Sequence, residues 1–416
     1  MGNLRAGVSK VNITPYIGIW LTGFAARFKP SEAILDDLYA RAIVFDDGKE
    51  NLAMVTCDIL TLDESSIKNI RKKVQEMTGL NGENISISTT HTHSGPLSSH
   101  LRGFGPLDMA WVDILEKKIA GAIISAYMNM KEVTIGAGKG YASINMNRRG
   151  GEAIDRELGV VRIDDRHGNT IAVIMNYPCH PVIVPWNLHA ISADYPGFAT
   201  RVIEKAYNKA IGMFFTGTCG NINPVMVCKD YREVQRLGNI VGAEGLKVSE
   251  GITSFECDIE IKATKEIVIL KSQEIPSTEE LQKIVDAGTQ AENPEMDWQY
   301  VWAKDALEYA KAGKMSADVP IEIQVLALGN NIASVGIPGE VFVEIGLAIK
   351  EKSPFAVTLP LECTNGCIGY MPTPEGFEKG GYEPALAFKL FGIYPVDKDV
   401  AEKVINSAVG MLEKLK

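Results

Sequence analysis

The sequence predicts an α/β fold, with α+β as the alternative, built on a central sheet flanked by helices. Runs of strand length, apolar or alternating, recur along the chain, and runs with helical apolar spacing lie between them. A further observation sets the scale: 416 residues with 46% hydrophobic content can build a sizeable core.

The strand-like segments are the apolar runs 40–46 (ARAIVFD) and 52–57 (LAMVTC), the alternating 84–89 (NISIST), 170–176 (TIAVIMN) and 323–328 (IQVLAL), and the mixed 332–337 (IASVGI). Residues 64–78 place apolar groups at helical spacing, 110–128 is longer and more apolar, and 196–210 opens on Pro196 shortly after Asp194. Between 273 and 318 the pattern turns to polar, Glu- and Lys-rich helix with Pro276 and Pro294, which reads as a helical insertion or bridge within one domain spanning 1–416. An amphipathic helix near 397–415 closes the chain. No internal repeat or low-complexity tract is present.

A net charge of −10 and a pI near 5.3, without any basic run, argue against nucleic-acid binding, which needs clustered Lys and Arg. The start MGNLRAGVSKVNITP lacks the apolar stretch of an export signal, and Ala6 spoils an acylation signal. No apolar run approaches the ~20 residues of a membrane span. Seven cysteines, an odd number in a large chain, read as free buried thiols in a reducing compartment. These features place the protein in the cytoplasm.

Chemistry concentrates in a few segments. Thr90-His91-Thr92-His93-Ser94-Gly95-Pro96 follows the strand-like NISIST, and on a strand positions i and i+2 share a face. His91 and His93 would then project together from a strand's C-terminal end, suiting a metal ligand beside a proton shuttle; the alternative is two ordinary histidines near a turn. His180, in Asn176-Tyr177-Pro178-Cys179-His180-Pro181, ends another apolar strand and can reach the same cleft. Asp194 reads first as a cap of the following helix and second as a group orienting a His ligand. Glu340, in Gly336-Ile337-Pro338-Gly339-Glu340, is either a helix-start carboxylate or a zinc ligand. Tyr370 and Tyr382 stand in a Gly/Pro-rich stretch too irregular for core. His100 reads as an exposed loop histidine. Segments 17–30 and 97–106 are candidates for shaping specificity.

In this order the segments resemble the neutral (non-lysosomal) ceramidase family. THTHSGP at 90–96 is similar to the family's zinc motif. An Asn-Arg segment (Asn147-Arg148-Arg149), a strand-end His, a Gly-x-x-Asn/Ser-Pro turn, a Pro-Gly-Glu turn and paired tyrosines follow as in the family, from Asn12-Ile13-Thr14-Pro15 onward. The resemblance implies a catalytic domain with a central mixed sheet flanked by helices and Zn2+ held by His91, His180, Glu340 and Tyr370. It implies that His93, Arg148 and Tyr382 face the reacting carbonyl, with Arg149 serving instead of Arg148 after a one-residue slip. Two departures stand out. The family's Gly-Asp-Val-Ser-Pro turn is Gly220-Asn221-Ile222-Asn223-Pro224 here, so a serine nucleophile is missing and direct attack by zinc-activated water is favoured. The family's additional C-terminal sandwich-like domain is not matched either, which reads as a short form and weakens the case for a membrane-lipid substrate.

The function expected is a zinc-dependent hydrolase acting on a carbonyl, foremost the amide of a soluble polar N-acyl substrate or a ceramide-like amide. The alternatives are zinc-assisted ring opening or C–C cleavage of a polar cyclic ketone of sugar or cyclitol type, and a non-catalytic zinc-binding protein. The partner expected is a small-molecule substrate, with neither nucleic acid nor a membrane span, and a homo-oligomer is left open.

Overall fold

The middle strands of the larger sheet are apolar on both faces because both faces are covered. In the computed structural model, which describes residues 2–27, 29–273, 276–313 and 318–416, this sheet has eight strands. Their spatial order is Ile211–Thr216, Thr170–Tyr177, Glu157–Asp165, Lys131–Tyr141, Arg5–Asn12, Tyr39–Asp46, Asn51–Cys57 and Ile85–Thr89. The outermost pair at each end is parallel and the inner pairs are antiparallel, so the sheet is mixed. A second sheet of four strands is formed by Ile261–Lys271, Asp318–Leu328, Ile332–Gly336 and Val357–Leu361. The later strand-like segments therefore build a sheet of their own, a distinction that periodicity does not carry.

Alternation decides what each face meets. Ala42 and Val44 join a cluster with the helices Glu64–Thr78 and Met109–Met128, while Ile43 and Phe45 join Leu326, Leu328, Val357 and Leu359 of the second sheet. The other half of the large sheet is covered by Asp194–Ala206 and Tyr231–Gly251. The outer face of the second sheet carries Val343–Lys352 and Val400–Leu415. Among the described residues no helix is long and apolar enough to cross a membrane.

The large sheet curls until its two ends meet. Thr56 Oγ1 donates to Phe214 O at 2.6 Å, and Thr216 Oγ1 donates to Thr90 O at 2.8 Å. This closure gathers the chain that leaves Thr89, Tyr177 and Thr216 at one place.

Strands Ile261–Lys271 and Asp318–Leu328 pair antiparallel along their whole length, and the segment expected to be inserted connects them. It contains helices Thr278–Ala287 and Trp298–Lys311, packed on one another through Leu281, Trp302, Ala303 and Leu307. Positions 274–275 and 314–317 of the 273–318 expectation lie outside the described residues. The Trp302 ring meets Phe388 at 5.5 Å and its Nε1 donates to Ile393 O at 3.0 Å, so these helices brace the segment after Tyr382.

Candidate metal centre

His91 follows the strand Ile85–Thr89, but it does not lie on a strand with His93. Its φ is +60°, a left-handed conformation that costs a non-glycine residue energy and turns the chain. The expected i, i+2 alternation is thus not what joins the two rings. They meet because the chain folds back: His93 N donates to Pro181 O at 3.2 Å, and the ring centroids of His91 and His93 lie 5.0 Å apart. His180, beyond Tyr177, completes the group, with centroids 5.1 Å from His91 and 5.5 Å from His93. Ligand nitrogens of the three buried imidazoles all lie within 4.8 Å of one another.

The carboxylate enters through a short parallel pairing of Glu340–Val341 with Tyr370–Met371, which sets Glu340 opposite Tyr370. Glu340 Oε2 is 3.1 Å from His180 Nε2 and 3.4 Å from His91 Nε2. It stands before the helix Val343–Lys352, and Glu344 is the acidic residue of that helix's first turn. Glu340 is thereby free to serve the histidines.

Each of these two imidazoles is oriented from behind. His91 Nδ1 lies 3.0 Å from Leu60 O, and His180 Nδ1 lies 2.7 Å from Cys219 O. A carbonyl only accepts, so Nδ1 carries the proton and Nε2 is turned toward Glu340, the arrangement that fixes metal-ligating histidines. The thiols of Cys363 and Cys219 sit 3.3 and 3.4 Å from the same two Nδ1 atoms.

Arg148 is brought in by the pairing of Asn145–Asn147 with Ile222–Pro224; its backbone N donates to Asn221 O at 2.9 Å. Its guanidinium lies 5.4 Å from the Tyr370 ring centroid, and NH1 points to Asn223 Oδ1 at 3.4 Å. Arg149 turns the other way: its NH2 donates to Gly376 O at 3.1 Å and Gly380 O at 2.7 Å. Arg148, not its neighbour, faces the cluster. Tyr382, 39% exposed, places its ring 5.9 Å from that of Tyr370. His91, His93, His180, Glu340, Arg148, Tyr370 and Tyr382 are therefore brought together.

The electrostatics favour a cation. Burial opposes charge on His91, yet Glu340 beside it outweighs burial and raises its pKa to about 9. Burial likewise opposes ionisation of Glu340, and His91 and His180 overcome it, holding the carboxyl well below the usual range. The pocket binds a proton where a metal ion would sit, and a dication competes for that place. Burial, together with His91 and His180, pushes His93 well down, so it is neutral. Among the described residues neither of its ring nitrogens has a hydrogen-bond partner, nor does His91 Nε2. Orphaned buried nitrogens beside a carboxylate and a phenol fit a zinc donor set.

Asp194 serves the start of the following helix from its first turn, not from the N-cap position. The N-cap position is Ala193, and Asp194 lies in the first turn with φ +53°; its Oδ1 accepts Tyr195 N of that turn at 2.6 Å, while its Oδ2 accepts Ile183 N at 3.0 Å and Val184 N at 2.9 Å. It ties down the loop after His180 instead of touching a ligand ring, because the buried amides of that loop have the stronger demand for an acceptor. His100 is exposed and bonded to Asp63.

Other contributors escaped the sequence reading. Arg27 is 1% exposed and donates to His93 O at 2.7 Å and Thr22 O at 2.9 Å, holding the His93 turn. Gly23, at φ +100°, leaves no room for a Cβ, which would lie 2.4 Å from His93 Cα. Glu362 receives Cys219 N at 2.8 Å and Cys219 Sγ at 2.8 Å, behind the carbonyl that orients His180. The signal for Gly23 was its place in the 17–30 segment. For Glu362 the sequence carried none.

Comparison with known proteins identifies the family and the fold. Residues 4–267 match a family model described as neutral/alkaline non-lysosomal ceramidase, N-terminal. The chain is 24% identical over 255 residues to a neutral ceramidase of Drosophila melanogaster, covering 53% of this chain and 36% of that protein. It is 22% identical over 460 aligned positions to a neutral ceramidase of Mycobacterium tuberculosis, covering 89% of this chain and 71% of that one. The match thus spans about a third of the fly relative's length. Among solved structures, the neutral ceramidase of Pseudomonas aeruginosa superposes with a TM-score of 0.79 at 18% identity, over 100% of this chain and 75% of that chain.

Proposed function

Because the chain belongs to the neutral/alkaline non-lysosomal ceramidase family, we propose that it is a zinc-dependent hydrolase that cleaves the amide bond of an N-acyl substrate. The observation that carries this reading is the buried carboxylate of Glu340 shared by two imidazoles whose Nδ1 atoms are committed to backbone carbonyls.

In this reading His91, His180, Glu340 and Tyr370 hold the metal. Zinc bound there supplies Lewis acidity, which polarises a carbonyl and makes water a better proton donor. His93, neutral and with neither ring nitrogen hydrogen-bonded among the described residues, takes a proton from the attacking water and delivers it to the leaving nitrogen. Arg148 and Tyr382, on the same side as Tyr370, donate to the oxygen on which negative charge develops. A contact of that kind is worth roughly 3 kcal/mol in other enzymes. Asn223, within reach of Arg148, offers no nucleophile, which supports attack by water in one step over an acyl-serine intermediate.

The test is metal analysis of the purified chain, followed by a substrate screen with and without chelator. N-acyl amides are expected to release a free amine, and chelation to abolish the release. Acid release without amine from a polyhydroxylated cyclic ketone would transfer the same site to C–C cleavage or ring opening. Inertness toward both panels despite stoichiometric zinc would leave a non-catalytic zinc protein.

A further inference from the structure

We propose that Glu383 is the positioning residue that sets Arg148 and Tyr382 against the reacting carbonyl, an inference that rests on the hydrolase reading above. Its side chain is nearly buried and its carboxylate is divided between two guanidinium groups. Oε1 accepts from Arg148 Nε at 3.0 Å and lies 2.9 Å from Arg148 NH2. Oε2 accepts from Arg149 NH1 at 2.5 Å. Arg149 in turn holds the carbonyls of Gly376 and Gly380, the turn that leads into Tyr382.

Glu383 follows Tyr382 directly on the short helix Tyr382–Ala385. One carboxylate therefore binds together the two groups assigned to the oxyanion: it grips Arg148 itself, and through Arg149 it fixes the backbone that presents Tyr382. The turn is shaped for this. Gly381 has φ +98°, and a Cβ there would lie 3.2 Å from Arg149 NH1.

The far end of the same segment is anchored independently. Trp302 Nε1 donates to Ile393 O, and Arg102 N donates to Leu390 O at 3.0 Å. Removing the Glu383 charge thus loosens the end that faces the site while leaving the segment docked. Glu383 touches none of the four proposed metal-binding side chains through a hydrogen bond or ion pair among the described residues, so zinc content and positioning separate experimentally.

The experiment compares Glu383→Gln, Glu383→Asp and Arg149→Lys with the unaltered full chain, zinc-loaded. Glu383→Gln is expected to lower kcat about 10- to 100-fold with little change in KM and none in zinc content, the cost of misplaced transition-state contacts. Glu383→Asp, which returns the charge, restores part of that loss. Arg149→Lys lowers kcat in the same direction, because one ammonium cannot replace a fork that serves a carboxylate and two carbonyls. Independently of any substrate, the released Arg148 in Glu383→Gln reacts faster with phenylglyoxal, read by peptide mass. An unchanged kcat in Glu383→Gln, or a loss that Asp does not recover and that tracks zinc loss or unfolding, overturns the proposal. If the unaltered chain releases no amine from any N-acyl substrate, the hydrolase reading fails. The phenylglyoxal rate then decides on Glu383 alone, and equal rates overturn the proposal.

Discussion

Replacing His93 with alanine separates the two donor sets that the cluster contains. Three imidazoles lie close enough to hold an ion together, whereas the ion pairs of Glu340 among the described residues go to His91 and His180. If His93 moves protons and binds no metal, its loss removes general acid–base catalysis, which is worth about 10²- to 10⁴-fold in rate. At ~1.36 kcal/mol per decade, that is a barrier increase of about 3–5 kcal/mol. Zinc should remain at one per chain, because the oriented His91 and His180, Glu340 and Tyr370 are untouched. The ring makes edge contacts with Phe24 at 5.1 Å and with its two partner imidazoles but no hydrogen bond among the described residues, so alanine strands no polar partner and the fold should persist. The assay is amine release from the best N-acyl substrate and zinc content measured on the same sample. Loss of zinc along with activity would refute the assignment and make His93 a ligand; activity within about tenfold of the unaltered enzyme would remove it from proton transfer.

Three further outcomes follow from the surrounding contacts. Asp194→Ala strands the buried amides of Ile183 and Val184, at about 1–3 kcal/mol for each lost acceptor, and should lower the urea midpoint and loosen zinc through the His180 loop. Gly23→Ala forces a Cβ into His93 at a positive φ and should reduce kcat with zinc retained, checked by kinetics and metal analysis. Burial raises the Glu362 carboxyl from 4.5 to about 7, so the folded chain binds its proton more tightly than the unfolded chain between those values. Stability from this group is full below pH 4.5 and is lost as pH rises through about 7. Urea titrations in chelator should show that Glu362→Gln reduces this decline, which is at most ~1.4 kcal/mol per pH unit.

Local pattern carried the elements whose faces differ. Residues 64–78 read as a helix and form Glu64–Thr78. The runs 40–46 and 52–57 read as buried because helices and a second sheet cover them. Periodicity did not tell one sheet from two, since inward-facing residues look alike whichever sheet they join. Within the site, the motif around His91 and His93 was legible, but its geometry was not: a turn at positive φ, not a strand, brings the rings together. Arg148 was favoured over Arg149 by the resemblance alone, open to a one-residue slip, and the pairing of Asn145–Asn147 with Ile222–Pro224 sends the two side chains in different directions. Glu383, Glu362 and Arg27 acquire meaning only through contacts with residues far away in the chain, which composition and spacing do not encode.

The metal assignment is tested most directly by anomalous diffraction at the zinc edge from crystals of the zinc-loaded chain. One peak is expected, with His91 Nε2, His180 Nε2 and a Glu340 oxygen at about 2.0–2.2 Å and the Tyr370 oxygen completing the shell, while His93 stays outside it. A peak ligated by His91, His93 and His180 without Glu340, or no peak at this cluster, would contradict the assignment.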